Sequence, residues 1–87
     1  MIKGMGWVVY ILRCADETLY TGITTDMAAR LAVHESGAGA KYTRGRGPFA
    51  VLYTENQPDR GSATRREAEI KAMNRQDKLK LAQKRAG

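Results

Sequence analysis

Hydrophobic and polar positions change rhythm several times along the chain. Trp7-Val8-Val9-Tyr10-Ile11-Leu12 is an unbroken apolar run of β-branched and aromatic residues, which predicts a strand covered on both faces and therefore central in a sheet. Cys14 to Thr18 is short and polar and predicts a turn. Leu19-Tyr20-Thr21-Gly22-Ile23 follows as a partner strand, and the short connection makes the pair antiparallel. Thr25 or Asp26 can cap a helix running to about Glu35, which Gly37 and Gly39 end. Ala38 to Pro48 is a Gly-rich basic loop, Phe49–Thr54 a third strand, and Asn56 to Gly61 a turn. Ser62 to about Asn74 and Gln76 to about Arg85 predict two more helices. Met1–Gly6 is a short frayed lead-in. The order β-β-α-β-α-α predicts an α+β fold, a small three-stranded, mostly antiparallel sheet flanked by helices. At 87 residues the expectation is one domain spanning 1–87, with its core at about 7–82.

The first helix breaks its own pattern. Met27, Arg30, Leu31 and His34 follow the i, i+3, i+4, i+7 spacing of one buried face. Two of the four are apolar and two are cationic or titratable. A buried guanidinium without partners is costly. Arg30 must therefore pair locally with Asp26 or Glu35, reach the sheet edge, or point into a polar cleft. In the strands, Tyr10 shares a face with Val8 and Leu12, and Tyr20 shares one with Gly22. Glycine inside a strand marks close approach by a ligand or by other backbone.

Composition narrows the partners. Hydrophobic residues make up 43%, enough for a packed core, and no apolar run is long enough to span a bilayer. The lone cysteine and single histidine exclude a Cys/His zinc cluster, and Cys14 reads as a small buried filler suited to a reducing, cytoplasmic setting. Residues 1–60 carry 7 basic and 6 acidic groups, whereas 61–87 carry 8 basic and 3 acidic, so the net charge of +6 sits mostly in the last third. Such a segment attracts polyanions, nucleic acid foremost, or is simply a solvated helix face.

Val8-Val9-Tyr10, with Tyr20-Thr21-Gly22 ten residues on, resembles the two halves of the GIY-YIG nuclease motif. Arg30, His34 and a Glu in the second helix follow in the matching order. Leu19–Thr25, Gly39–Gly45 and Arg66–Lys71 resemble stretches of the YhbQ-like subgroup of small single-domain bacterial proteins. The resemblance implies a phosphodiesterase that cuts DNA in repair or recombination, directed by DNA structure rather than sequence. It implies that Tyr10 and Tyr20 line the cleft and handle the attacking water. It further implies that Arg30 neutralises charge on the phosphorus, that His34 assists, and that Glu67 holds one Mg2+ (or Mn2+). Such chemistry needs positioning, charge neutralisation and an activated water.

Glu67 has competing readings. Thr64-Arg65-Arg66-Glu67 also fits a helix capping box, and Glu69 is a rival metal carboxylate. Glu67 is preferred because it lies four residues after Ala63 and three before Ile70, on one helix edge. Asn74 is the candidate for a further polar residue that larger relatives carry downstream. Gly22, Lys41, Tyr42, Arg44, Arg46 and Lys71 are the candidate nucleic-acid contacts, with Arg65, Arg75, Lys78 and Lys80 adding charge. The same residues would also suit a non-catalytic nucleic-acid binder, or a subunit active only with a partner.

Overall fold

The computed structural model describes residues 6–86; the lead-in at 1–5 lies outside the described residues. The elements are β1 (Trp7–Arg13), β2 (Leu19–Thr24), α1 (Met27–Glu35), β3 (Ala50–Gln57), α2 (Arg60–Lys71) and α3 (Arg75–Ala86), with a single helical turn at Lys41–Thr43. Both strand pairings are antiparallel and the order is β2-β1-β3, so the apolar run of β1 is indeed central.

The strand register decides what each face carries. Ile11 faces Thr21 and Tyr53, and Val9 faces Ile23 and Glu55. This face meets Ala63 and Ile70 of α2 and Ala82 of α3 in one apolar core, with Trp7, Leu19, Met73 and Leu81 packed around it. On the other face Tyr10 lies opposite Gly22, and Leu12 opposite Tyr20. Both tyrosines therefore share the face away from the main core, and α1 supplies its cover through His34.

Several boundaries differ from expectation. β3 runs through Asn56 to Gln57, because Gln57 and Asn56 pair with Trp7 and Val8. That leaves only Pro58 and Asp59 before α2. Asp59 caps α2, its carboxylate accepting from Ser62 N at 2.8 Å. The capping box at Thr64–Glu67 is therefore not formed, since both residues lie inside the helix. Asn74 is likewise a cap, accepting from Asp77 N at 2.8 Å at the start of α3. The helix α1 begins on Asp26, which accepts from Ala29 N at 3.1 Å. It ends where Gly37 takes a φ of +85°, a left-handed conformation that glycine adopts without a Cβ penalty. Cys14 is buried in the turn after β1, as expected of a filler, and unpaired.

Candidate active site

The inward stripe of α1 is as its spacing predicts. Met27, Arg30 and Leu31 are half-buried, and His34 is buried at 1% exposure. His34 reaches the sheet and holds partners on both ring nitrogens. Nε2 is 2.9 Å from the Tyr10 hydroxyl, and Nδ1 is 2.8 Å from Thr43 Oγ1. Its ring also lies edge-on to Tyr20 at 5.4 Å and to Phe49 at 5.9 Å between centroids. Burial, aided by the nearby Arg30 charge, pushes its pKa below the ordinary value, so the ring is neutral at pH 7.

Tyr10 is completely buried, so it does not line an open cleft as the resemblance implied. Its ring lies 6.3 Å from that of Tyr20. Burial is the chief cause that raises its pKa, and the Glu67 carboxylate and, at pH high enough to ionise it, the Tyr20 phenolate act in the same direction. Arg30 pulls the other way and does not win, so the basic surroundings leave Tyr10 a neutral phenol. Tyr20 is only half-buried and stands at the rim.

Gly22 is buried and has no opening toward a ligand. A Cβ there would come within 2.5 Å of the Tyr10 hydroxyl and 3.1 Å of the Tyr20 ring. The close approach read from this glycine is made by the protein's own tyrosines, so Gly22 is a packing position and not a nucleic-acid contact.

Arg30 does not pair with its helix neighbours. Asp26 is used as the cap, and the Glu35 carboxylate accepts from Phe49 N at 3.1 Å. Arg30 Nε is buried with no hydrogen-bond acceptor among the described residues, while its charge acts on both Tyr10 and His34. A donor left in this state costs about 1–3 kcal/mol.

Glu67 sits on α2 between the fully buried Ala63 and Ile70, itself 20% exposed. Its carboxylate is 3.3 Å from Lys71 Nζ, one turn on. Glu69 is 64% exposed and bound to Arg66 at 2.9 Å, on the outer side. Among the described residues no group of three or more His, Cys, Asp or Glu side chains gathers as a metal cluster.

The basic loop divides in two. Tyr42 stacks on Tyr20 at 5.8 Å, nearly parallel, and the Arg46 guanidinium lies 4.5 Å from the centre of the Tyr42 ring. Arg46 is further bound to the Asp16 carboxylate and donates to the Tyr42 carbonyl at 2.6 Å. These two form a wall beside Tyr20. Lys41 and Arg44 are exposed. Lys71 and Lys78 line a shallow depression with Leu19, Tyr20, Thr21 and Tyr42 along the open edge of β2.

Three site neighbours went unread in the sequence: Thr43, Phe49 and Gly39. A Cβ on Gly39 would collide with His34 Nδ1, so this glycine lets the loop close on the ring. For Gly39 and Thr43 the only available signal was their place in a loop stretch that resembled the family, and Phe49 was read only as the start of the third strand.

Comparison with known proteins gives the family and the fold. The family described as GIY-YIG catalytic domain matches residues 6–80. A UPF0213 protein of Oceanobacillus iheyensis is 55% identical over 73 residues, covering 84% of this chain and 85% of that one. Another from Natronomonas pharaonis is 49% identical over 79 residues, covering 91% and 93%. The solution NMR structure of a UPF0213 protein from Bacillus halodurans is 47% identical, covers 95% of this chain and 88% of that one, and has a TM-score of 0.61. A second NMR structure, from E. faecalis, is 36% identical, covers 97% and 90%, and has a TM-score of 0.66. The chain belongs to the GIY-YIG family, a nuclease-type family, and its relatives within it are the small UPF0213 proteins.

Proposed function

We propose that this protein is a cytoplasmic, magnesium-dependent DNA endonuclease, directed by phosphate and DNA shape, that acts in repair or recombination. The observation that carries the reading is Arg30. A cation on the inward stripe of α1 has a buried donor with no acceptor, beside two tyrosines and a neutral histidine. A phosphate oxygen supplies the missing acceptor and the missing negative charge, and the planar guanidinium fork suits it.

In this reading Arg30 neutralises the charge that builds on phosphorus during attack. Tyr20, at the rim, is the hydroxyl that orients the attacking water. Tyr10 and His34 brace that group from beneath, both ring nitrogens of the histidine being already engaged. Glu67 would hold Mg2+ (or Mn2+). One reachable carboxylate suits magnesium, which keeps several waters, and does not suit zinc, which takes a closed set of nitrogen and sulfur ligands. The bound ion supplies further charge neutralisation at the phosphate. The outward pairing of Glu69 supports Glu67 as the ligand. Lys41, Arg44 and Lys71 would contact the DNA backbone, with Tyr42 and Arg46 shaping one wall.

The test is cleavage of labelled nicked, branched, single-stranded and duplex DNA with magnesium. Glu67→Ala and Arg30→Ala should each lower the rate by about 100-fold or more while binding persists. Equal cutting by the variants would place any activity elsewhere. The Glu67–Lys71 ion pair favours a second reading, a binder that does not cut. Salt-sensitive binding with no product, and no change at Glu67 on adding magnesium, would select it. Product appearing only in a complex with another protein would select a partner-activated subunit.

A further inference from the structure

Hydrogen positions around His34 follow from counting donors. The Thr43 hydroxyl has one hydrogen, and its oxygen lies 2.8 Å from the Ala40 carbonyl oxygen, which can only accept. That hydrogen is therefore used. Thr43 Oγ1 is also 2.8 Å from His34 Nδ1 and can take part there only as an acceptor. His34 Nδ1 must carry the proton. In the neutral ring Nε2 is then bare, and the contact of 2.9 Å to Tyr10 requires the tyrosine to donate. The donors run in one direction: Tyr10 to His34, His34 to Thr43, Thr43 to the Ala40 carbonyl. The chain begins at Tyr10, whose oxygen has given its hydrogen to the ring and keeps only lone pairs in a site where the Arg30 charge acts.

We propose that Thr43 is a positioning residue that selects the tautomer of His34 and thereby holds the Tyr10 hydroxyl as the donor to His34 Nε2. The opposite tautomer reverses the chain. Nε2–H would donate to Tyr10, and the phenol hydrogen would have to point elsewhere in a buried site already facing a cation. Three features support a device built for this. Thr43 is 1% exposed, so its hydroxyl is not a surface group. The turn at Lys41–Thr43 fixes it, Thr43 N also donating to Ala40 O at 2.9 Å. Gly39 leaves the space through which the loop meets the ring. The consequence for catalysis rests on the nuclease reading, whereas the tautomer does not.

The chain has one histidine, so 15N-histidine labelling gives a spectrum of His34 alone. Two-bond nitrogen–proton correlations at pH 7.5, without DNA or metal, should show Nδ1 protonated and Nε2 bare. Thr43→Val keeps the shape but removes the hydroxyl, and should mix the tautomers or invert them. Thr43→Ser should restore the wild-type pattern. In cleavage assays Thr43→Val should lower kcat by about 10- to 100-fold with KM little changed, the size typical of a partner that orients a histidine, and Thr43→Ser should recover most of it. An Nε2–H tautomer in the wild type, or an unaltered tautomer in a folded Thr43→Val, overturns the proposal. Should the valine variant fail to fold, the wild-type and serine spectra still decide it. If no variant of the protein cuts DNA, the nuclease reading fails and the tautomer result stands by itself.

Discussion

Gly22 has no room for even one methyl group. Its neighbour across the strand pair is Tyr10, whose hydroxyl would be 2.5 Å and whose ring carbon would be 2.7 Å from an added Cβ. Tyr10 cannot retreat, because it is fully buried and bound to His34. Gly22→Ala should therefore cost about 1–3 kcal/mol through overpacking, read as a lower urea midpoint, and should disturb the Tyr10–His34 bond. His34 gives a second residue-scale expectation. Burial, then Arg30, holds its pKa below the value of 6.5 it would have unfolded. The unfolded chain then binds a proton more readily than the native one. The stability this provides is complete above pH 6.5 and is lost as pH falls below it toward the depressed native pKa. His34 is the sole histidine, and ordinary carboxylates titrate lower. Thermal melts between pH 7.5 and 5 should show a falling Tm, and His34→Gln should flatten that slope. Equal slopes would mean that the buried ring does not resist protonation. The groups around the ring agree with this direction, since Tyr10, Tyr20, Thr43 and Phe49 are neutral and Arg30 is positive.

At the scale of elements, α2 is what carries Glu67 to its place. One residue away, Arg66 clamps the helix to β3, its Nε bonded to the Glu55 carboxylate at 3.0 Å with both partners partly buried. Glu55 also accepts from Tyr53 at 2.5 Å and from Gln57 at 2.5 Å. Arg66→Ala would leave Glu55 in place with its cationic partner gone, at a cost of about 1.5–3 kcal/mol. A denaturation curve measures that loss, and a fall in cleavage beyond it would show that the clamp also aims Glu67. Neither the clamp nor Asp59 as the cap was legible in the sequence. Thr64 and Asp59 both fit the start of a helix locally. The choice goes to Asp59 because Ala63 must already be helical to bury its face against the sheet. By contrast, the period of α1 and the apolar run of β1 were legible, since burial on one stripe and a central strand each leave a local imprint. Arg30 and His34 stood out for the same reason, as polar groups on inward positions, whereas Tyr10 and Glu67 rested on the family resemblance. Thr43 did not stand out, because its meaning lies in a contact with a side chain nine residues away across a loop. The shared face of the two tyrosines needed the strand register, which pairs Tyr10 with Gly22 and Leu12 with Tyr20.

Across the whole molecule the positive charge is uneven in use as well as in amount. Lys71 and Lys78 stand along the open edge of β2, near Tyr20, and Lys41 and Arg44 are exposed on the neighbouring loop. Arg46 belongs to the same loop but is already held by Asp16 and the Tyr42 carbonyl. Backbone contacts release counterions from DNA, so each phosphate neutralised adds about 0.7–0.9 to the slope of log affinity against log salt. Replacing Lys41 and Lys78 together with glutamine should therefore lower that slope by about 1.4–1.8, with similar losses on different DNA sequences. Arg46→Gln should barely change it, because that charge is spent inside the protein. The two results are informative together. A slope that falls with Arg46→Gln but not with the lysine pair would move the DNA off the β2 edge and onto the outer side of the loop. It would also separate the bound strand from Tyr20 and Arg30, and the proposed cutting site would then have no substrate across it.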